Sequence, residues 1–125
     1  MEQVQKMYQR FQEDMNWNHN NKRNNYQDSK DFLLFTHMLL TTEVAEIAEE
    51  FRALIYKTEQ LKQNGVSEDE SYIIAKAEIR ENLGKELADC LAYLCKLANF
   101  FEFNLETELR KKLDEVRDRN TVNKK

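Results

Sequence analysis

The stretch Glu86-Leu87-Ala88-Asp89-Cys90-Leu91-Ala92-Tyr93-Leu94 carries leucines at spacings of four and three and contains neither Gly nor Pro. Leucine, alanine and glutamate favour helix, and that spacing puts Leu87, Leu91 and Leu94 on one face of a 3.6-residue turn. The rhythm extends outward through Ile73, Ala77 and Gly84 on one side and Ala98 on the other. Residues 69 to about 102 therefore read as one long helix, or as two in line broken near Asn82-Gly84. Just upstream, Ser67 followed three residues later by Glu70 forms a capping box, and Asn64-Gly65 is where a preceding helix should stop, since Gly accepts the left-handed conformation of a helix terminus.

That preceding helix is expected to open near Ser29 or Asp31 and to run through Phe32, Phe35, Leu39, Val44, Ile47, Phe51, Leu54 and Ile55. Before it, six of the ten residues from Asn16 to Asn25 are Asn, a residue that competes for its own backbone, so this stretch reads as a loop holding one large aromatic, Trp17. Val4, Met7, Tyr8, Phe11 and Met15 mark the apolar face of a first helix. Asn104 caps a last one carrying Leu105, Leu109, Leu113 and Val116, with residues 120–125 as a polar tail. The expected architecture is a single all-α domain over residues 1–125, a bundle of four to five helices.

Composition excludes several alternatives. With two Gly and no Pro in 125 residues, the chain lacks the turn residues that a sandwich, a barrel or a Gly-rich phosphate loop requires. A net charge of −4 supplies no broad cationic field for a polynucleotide. No apolar run approaches the roughly 18 residues of a membrane span, and Met1 to Lys6 contains no apolar signal core, so a cytoplasmic protein without a membrane partner is expected. Cys90 and Cys95, five apart on a helix, are separated by a rise of about 7.5 Å and a rotation of about 140°, which prevents a bridge between them and leaves packing as their role. A chain with 34% charged residues has little spare apolar surface for its own core, and completion by a second copy, as a homodimer or a dimer of dimers, is expected.

The chemistry concentrates in two acidic pairs. Glu43 and Glu46 sit three apart on the second helix, Glu86 and Asp89 three apart on the third, and each pair leaves its helix from one face. These acids either look outward as solvated charge or converge across a helix pair, where their repulsion demands a cation. Their neighbours are Val44, Ala45, Ile47 and Ala48 on one helix and Leu87, Ala88, Cys90 and Leu91 on the other, and residues 43 to 51 contain no Lys or Arg. Solvated acids are more often interleaved with bases, as Glu108, Lys111, Lys112 and Glu115 are. Oxygen ligands alone suit a hard cation such as Mg²⁺, with Mn²⁺ as a substitute. A di-iron bundle site would need a His three residues after a Glu, which neither His19 nor His37 supplies.

The order Glu43-Val44-Ala45-Glu46, then Glu86-Leu87-Ala88-Asp89-Cys90-Leu91-Ala92-Tyr93-Leu94, then Lys112-Leu113-Asp114 resembles the MazG-like proteins of the all-α nucleoside triphosphate pyrophosphohydrolase superfamily, over about residues 5 to 120. The resemblance implies Mg²⁺ held by Glu43, Glu46, Glu86 and Asp89, and hydrolysis of a ribo- or deoxynucleoside triphosphate to the monophosphate and pyrophosphate. A spare carboxylate, Glu46, Glu49 or Glu50, would take the proton of the attacking water. Trp17 then either stacks on a base or lids the second helix; Tyr93 either reaches the sugar or packs in the core; Lys112 either binds phosphate or is solvated. Thr42 stands where many members carry a second acid, Ala53 where some carry an aromatic, and the segment between the pairs is long. A non-catalytic nucleotide-binding or interaction protein on the same scaffold is the alternative.

Overall fold

The computed structural model describes residues 1–15 and 25–123, with side chains through residue 120. Trp17 and the rest of the Asn-rich run before Asn25 lie outside the described residues. Four α-helices follow in order: α1 (Glu2–Asp14), α2 (Tyr26–Gln63), α3 (Glu68–Phe100) and α4 (Leu105–Asn123). There is no strand among the described residues, so the all-α class holds, with four helices. None of the helices is long and apolar enough to cross a membrane.

Asn25, rather than Ser29 or Asp31, starts α2: its side-chain carbonyl accepts the Asp28 N–H at 2.8 Å, and its amide donates to the Asp28 carboxylate at 2.8 Å. The cap lies at the end of a run of asparagines, which the periodicity of the apolar residues cannot single out. At the other end of α2, the Gly65 N–H bonds the Lys62 carbonyl at 3.0 Å and the Val66 N–H bonds the Leu61 carbonyl at 3.1 Å, with Gly65 at φ +92°. This Schellman closure satisfies two carbonyls that the helix leaves open. The Ser67 hydroxyl then accepts the Glu70 N–H at 3.3 Å and begins α3.

α3 is a single helix that passes through Asn82-Gly84 without a break. One mid-helix Gly costs about 1 kcal/mol relative to Ala, less than the loss of the hydrogen bonds that an interruption would expose. Its end repeats the closure of α2, with Glu102 N–H on the Asn99 carbonyl at 3.2 Å and Phe103 N–H on the Ala98 carbonyl at 2.8 Å, but Glu102 occupies the left-handed position, at φ +60°. Here a side chain bears strain that Gly65 avoids. Glu102→Gly should therefore raise stability by about 1 kcal/mol and Gly65→Ala lower it by a similar amount. Urea denaturation measures both; shifts of the same sign would show that the left-handed positions do not govern these two turns.

Two compact units emerge, one of Met1–Leu34 with Leu94–Lys125 and one of Phe35–Tyr93. In the first, α1 buries Gln5 and Gln12, whereas Met7, Phe11 and Met15 of its expected core face are exposed. For Gln5 the reason lies in the α3–α4 turn. The Gln5 amide donates to the Phe103 carbonyl at 2.8 Å and to Asn99 Oδ1 at 3.2 Å, while its carbonyl accepts the Leu105 N–H at 2.7 Å. A single glutamine thus satisfies backbone groups that the end of one helix and the start of the next leave open. Phe32 stacks on Phe100 at 4.8 Å between ring centres, and the ammonium of Lys96 sits 5.5 Å over the Phe32 ring. Asn104 caps α4 as expected, accepting the Thr107 N–H at 3.2 Å. Pairs such as Arg110–Glu106 and Arg117–Asp114 support α4, which continues through Asn123 into the expected tail.

The second unit is a hairpin of the C-terminal part of α2 and most of α3. Ser71, Ala75, Ile79 and Cys90 are the buried positions of α3 here, and Lys57 of α2 reaches Glu78 of α3 at 3.7 Å. The stripe Ile73, Ala77, Gly84 and Leu87, expected to face the core, lies exposed on the other side of the helix. Leu109, Leu113 and Val116 of α4 are exposed as well. Periodicity marks a face that favours cover, and α3 carries two such faces, of which its own chain fills one.

Candidate metal centre

Glu43 leaves α2 toward α3, where Glu86 and Asp89, one turn apart, leave it toward α2. One carboxylate oxygen from each of the three lies within 4.8 Å of the others. Glu43 and Glu86 are partly buried and Asp89 is exposed, so the group opens to solvent on the Asp89 side. The helical spacing read from the sequence thus converges, in space, for three of its four acids.

One oxygen of Glu43 and one of Glu86 are buried with no hydrogen-bond partner. Two ionised carboxylates are both acceptors and cannot satisfy each other; a proton or a cation is needed between them. The electrostatics agree. Glu86 is raised above the usual glutamate range, first by hydrogen bonding to Glu43, against which a hydrogen bond with Glu46 works, and then by partial desolvation and the charges of Glu43 and Asp89. Glu46 is raised too, chiefly by hydrogen bonding to Glu86 and by its charge. Glu46 stands exposed at the edge of the trio, because a step of three residues turns it about 60° from the direction of Glu43.

The other expected residues fall at various distances from this group. The Tyr93 phenol, half-buried one turn past Asp89, is pushed up by burial and then by Glu43 and Asp89, which places it beside the acids. Glu49 is exposed and ion-paired with Arg52, and Glu50 is partly buried; neither belongs to the trio. The Thr42 hydroxyl is committed to the Met38 carbonyl at 3.0 Å. Lys112 belongs to the other compact unit, on α4, where it pairs with Glu115 at 3.6 Å. Cys90 is buried against the acids, and burial followed by the charges of Glu43, Asp89 and Glu86 pushes its thiol up, away from the thiolate. Burial raises Cys95 as well.

The donor set fits a hard divalent cation. Three oxygens converge, two of the carboxylates have a buried oxygen without a hydrogen-bond partner, and neither Lys nor Arg is ion-paired with any of the three among the described residues. Glu43, Glu86 and Asp89 thus form an acidic cluster that could hold a metal ion, and Glu46, the fourth acid of the two pairs, stands outside it. No protein-family model, curated protein or solved structure matches the chain.

Proposed function

We propose that the chain is a Mg²⁺-dependent nucleotide pyrophosphohydrolase of the MazG-like type, cleaving ribo- or deoxynucleoside triphosphates to monophosphate and pyrophosphate in nucleotide-pool house-cleaning. The observation that carries this reading is the convergence of Glu43, Glu86 and Asp89, with orphaned oxygens, on a pair of antiparallel helices. Glu43, Glu86 and Asp89 would hold the ion, and Glu46, at their edge, would either complete the ligand set or serve as the base. When bound, Mg²⁺ neutralises phosphate charge and makes a nearby water more acidic. As the base, Glu46 is the exposed carboxylate beside the trio with no basic side chain engaging it among the described residues, and so the one best placed to accept the water's proton. Glu49 could serve only after releasing Arg52, and Glu50 lies farther along α2. Tyr93 orients the sugar from its place one turn beyond Asp89.

The exposed large apolar side chains on α1, α3 and α4 support assembly with further copies, as a cytoplasmic homodimer or dimer of dimers, since apolar surface is costly to leave in water. The second reading, a nucleotide-binding protein without turnover, draws on Glu46 lying outside the trio and on the engagement of Glu49 by Arg52. The deciding experiment is pyrophosphate release from a panel of ribo- and deoxynucleoside triphosphates, with Mg²⁺ and with chelator. Metal-dependent release supports the enzyme. Melting shifts with Mg²⁺ and nucleotide but no product would favour the binding protein.

A further inference from the structure

The outer side of α2 carries a stripe that its own unit leaves uncovered. His37, Thr41, Val44, Ala48, Phe51 and Ile55 follow one another at spacings of four, three, four, three and four, and all six are exposed, Val44 to 54%, Phe51 to 48% and Ile55 to 62%. A repeat averaging 3.5 residues is that of a coiled-coil seam, in which each side chain enters a gap between residues of a second helix. The stripe lies wholly within the compact unit of residues 35–93, and the side of α2 turned to α3 is a different one, marked by the buried Thr36 and the partly buried Glu43, Ile47 and Leu54.

Charge keeps off this stripe. Its six residues include no Asp, Glu, Lys or Arg, although Glu43, Glu46, Glu49 and Glu50 are interspersed with them; helical geometry turns those acids about 120–180° away from its centre. Arg52, on its border, is ion-paired with Glu49. An uncharged strip on so acidic a helix suits apolar cover, and the order of its residues indicates whose. The spacing reads the same from either end. When a second α2 runs antiparallel about a two-fold axis at the level of residue 46, Val44 comes level with the other copy's Ala48, Thr41 with its Phe51 and His37 with its Ile55. Val beside Ala and Thr beside Phe match large with small, and the smallest layer falls at the centre, where crossing helices approach closest. A parallel pair would set Phe51 on Phe51 and Ala48 on Ala48, alternating crowded layers with empty ones. The acids of both copies stay outside the antiparallel seam, so their like charges do not meet there.

We infer that this stripe is the seam of a homodimer in which the α2 helices of two copies pack antiparallel, crossing near Val44 and Ala48. The inference rests on the homodimer proposed above, to which it gives a face, and is independent of the enzyme reading.

Sedimentation equilibrium of the full chain measures the mass in solution, and oxidation of cysteine variants locates the seam. Thr41→Cys combined with Phe51→Cys should give a disulfide-linked dimer, because these positions share one level in the antiparallel pair. Within one chain they lie about 15 Å apart along α2 and cannot bridge. Phe51→Cys alone should give none, since the two copies of that position are also about 15 Å apart along the axis. Cys90 and Cys95 are buried, and oxidised wild type is the control. Val44→Glu, at a position exposed in the protomer, should keep the helical content seen by circular dichroism and weaken the dimer roughly a hundredfold, because it places unpaired acids in the central layers. A dimer that the paired cysteines do not link, that Phe51→Cys alone links, or that Val44→Glu leaves intact has another seam; it overturns the inference and leaves the homodimer standing. A wild type that sediments as a monomer overturns both.

Discussion

Asp89→Ala is expected to abolish Mg²⁺-dependent pyrophosphate release, by a factor on the order of 10³ or more, while the helical content measured by circular dichroism stays at the wild-type level. Asp89 is the exposed member of the trio, so its loss opens no cavity and breaks no buried bond. Its effect falls on the ion. Removing one of three converging oxygens leaves two carboxylates, and a cation's several kcal/mol of transition-state stabilisation converts to rate at about 1.4 kcal/mol per factor of ten. Without metal, the same variant should be at least as stable as wild type, since one of three mutually repelling charges is gone. An Asp89→Ala protein with near-normal turnover would place the reaction elsewhere.

The second large effect concerns stability, metal and pH together. In chelator, Glu86→Gln should melt above wild type at alkaline pH, and the advantage should shrink as pH falls. Glu86 and Glu46 have folded-state pKa values raised above those of the unfolded chain. Groups of this kind contribute stability that is fully present below the ordinary glutamate value, about 4.3, and is lost as pH rises through the raised values. Wild type carries that loss at neutral pH, and the amide largely escapes it. Glu68 and Glu2, lowered chiefly by hydrogen bonds to Lys62 and Lys6, act in the opposite direction, and they cancel in the comparison of variant with wild type. Mg²⁺ should reverse the order: at a hundred times its dissociation constant an ion adds about 2.7 kcal/mol to a protein that binds it only when folded, and Glu86→Gln should gain much less. Melting curves at several pH values with and without Mg²⁺ read all of this. A pH-independent difference that Mg²⁺ does not change would show that the carboxylates do not interact.

The elements that were legible in the sequence are those coded by residues close to one another. Gly65 ends α2, Ser67 and Asn104 begin the next two helices, and the acid pairs at spacing three each occupy one helical face. Illegible were the features that depend on distant partners. α1 buries Gln5 instead of Phe11 because the turn at Phe103 to Leu105, nearly a hundred residues away, offers unpaired backbone groups that an apolar side chain could not satisfy. The exposed stripe of α3 has the same period as a buried one, since periodicity carries no information about which chain supplies the cover. Glu46 at the rim and Glu43 inside are told apart only by the direction from which α3 approaches.

The clasp made by Gln5 has a consequence for how the molecule is born. Residues 35–93 close through a four-residue turn, so their hairpin can assemble on a nascent chain as soon as α3 has emerged. The other unit cannot. The groups that Gln5 binds, on Phe103 and Leu105, are made about a hundred residues after it, and closing so long a loop carries its entropic cost before any bond compensates for it. Until those groups are made α1 must therefore wait with Val4 and Gln12, which the closed unit covers, in water, which leaves this segment of the newborn protein open to chaperones and proteases.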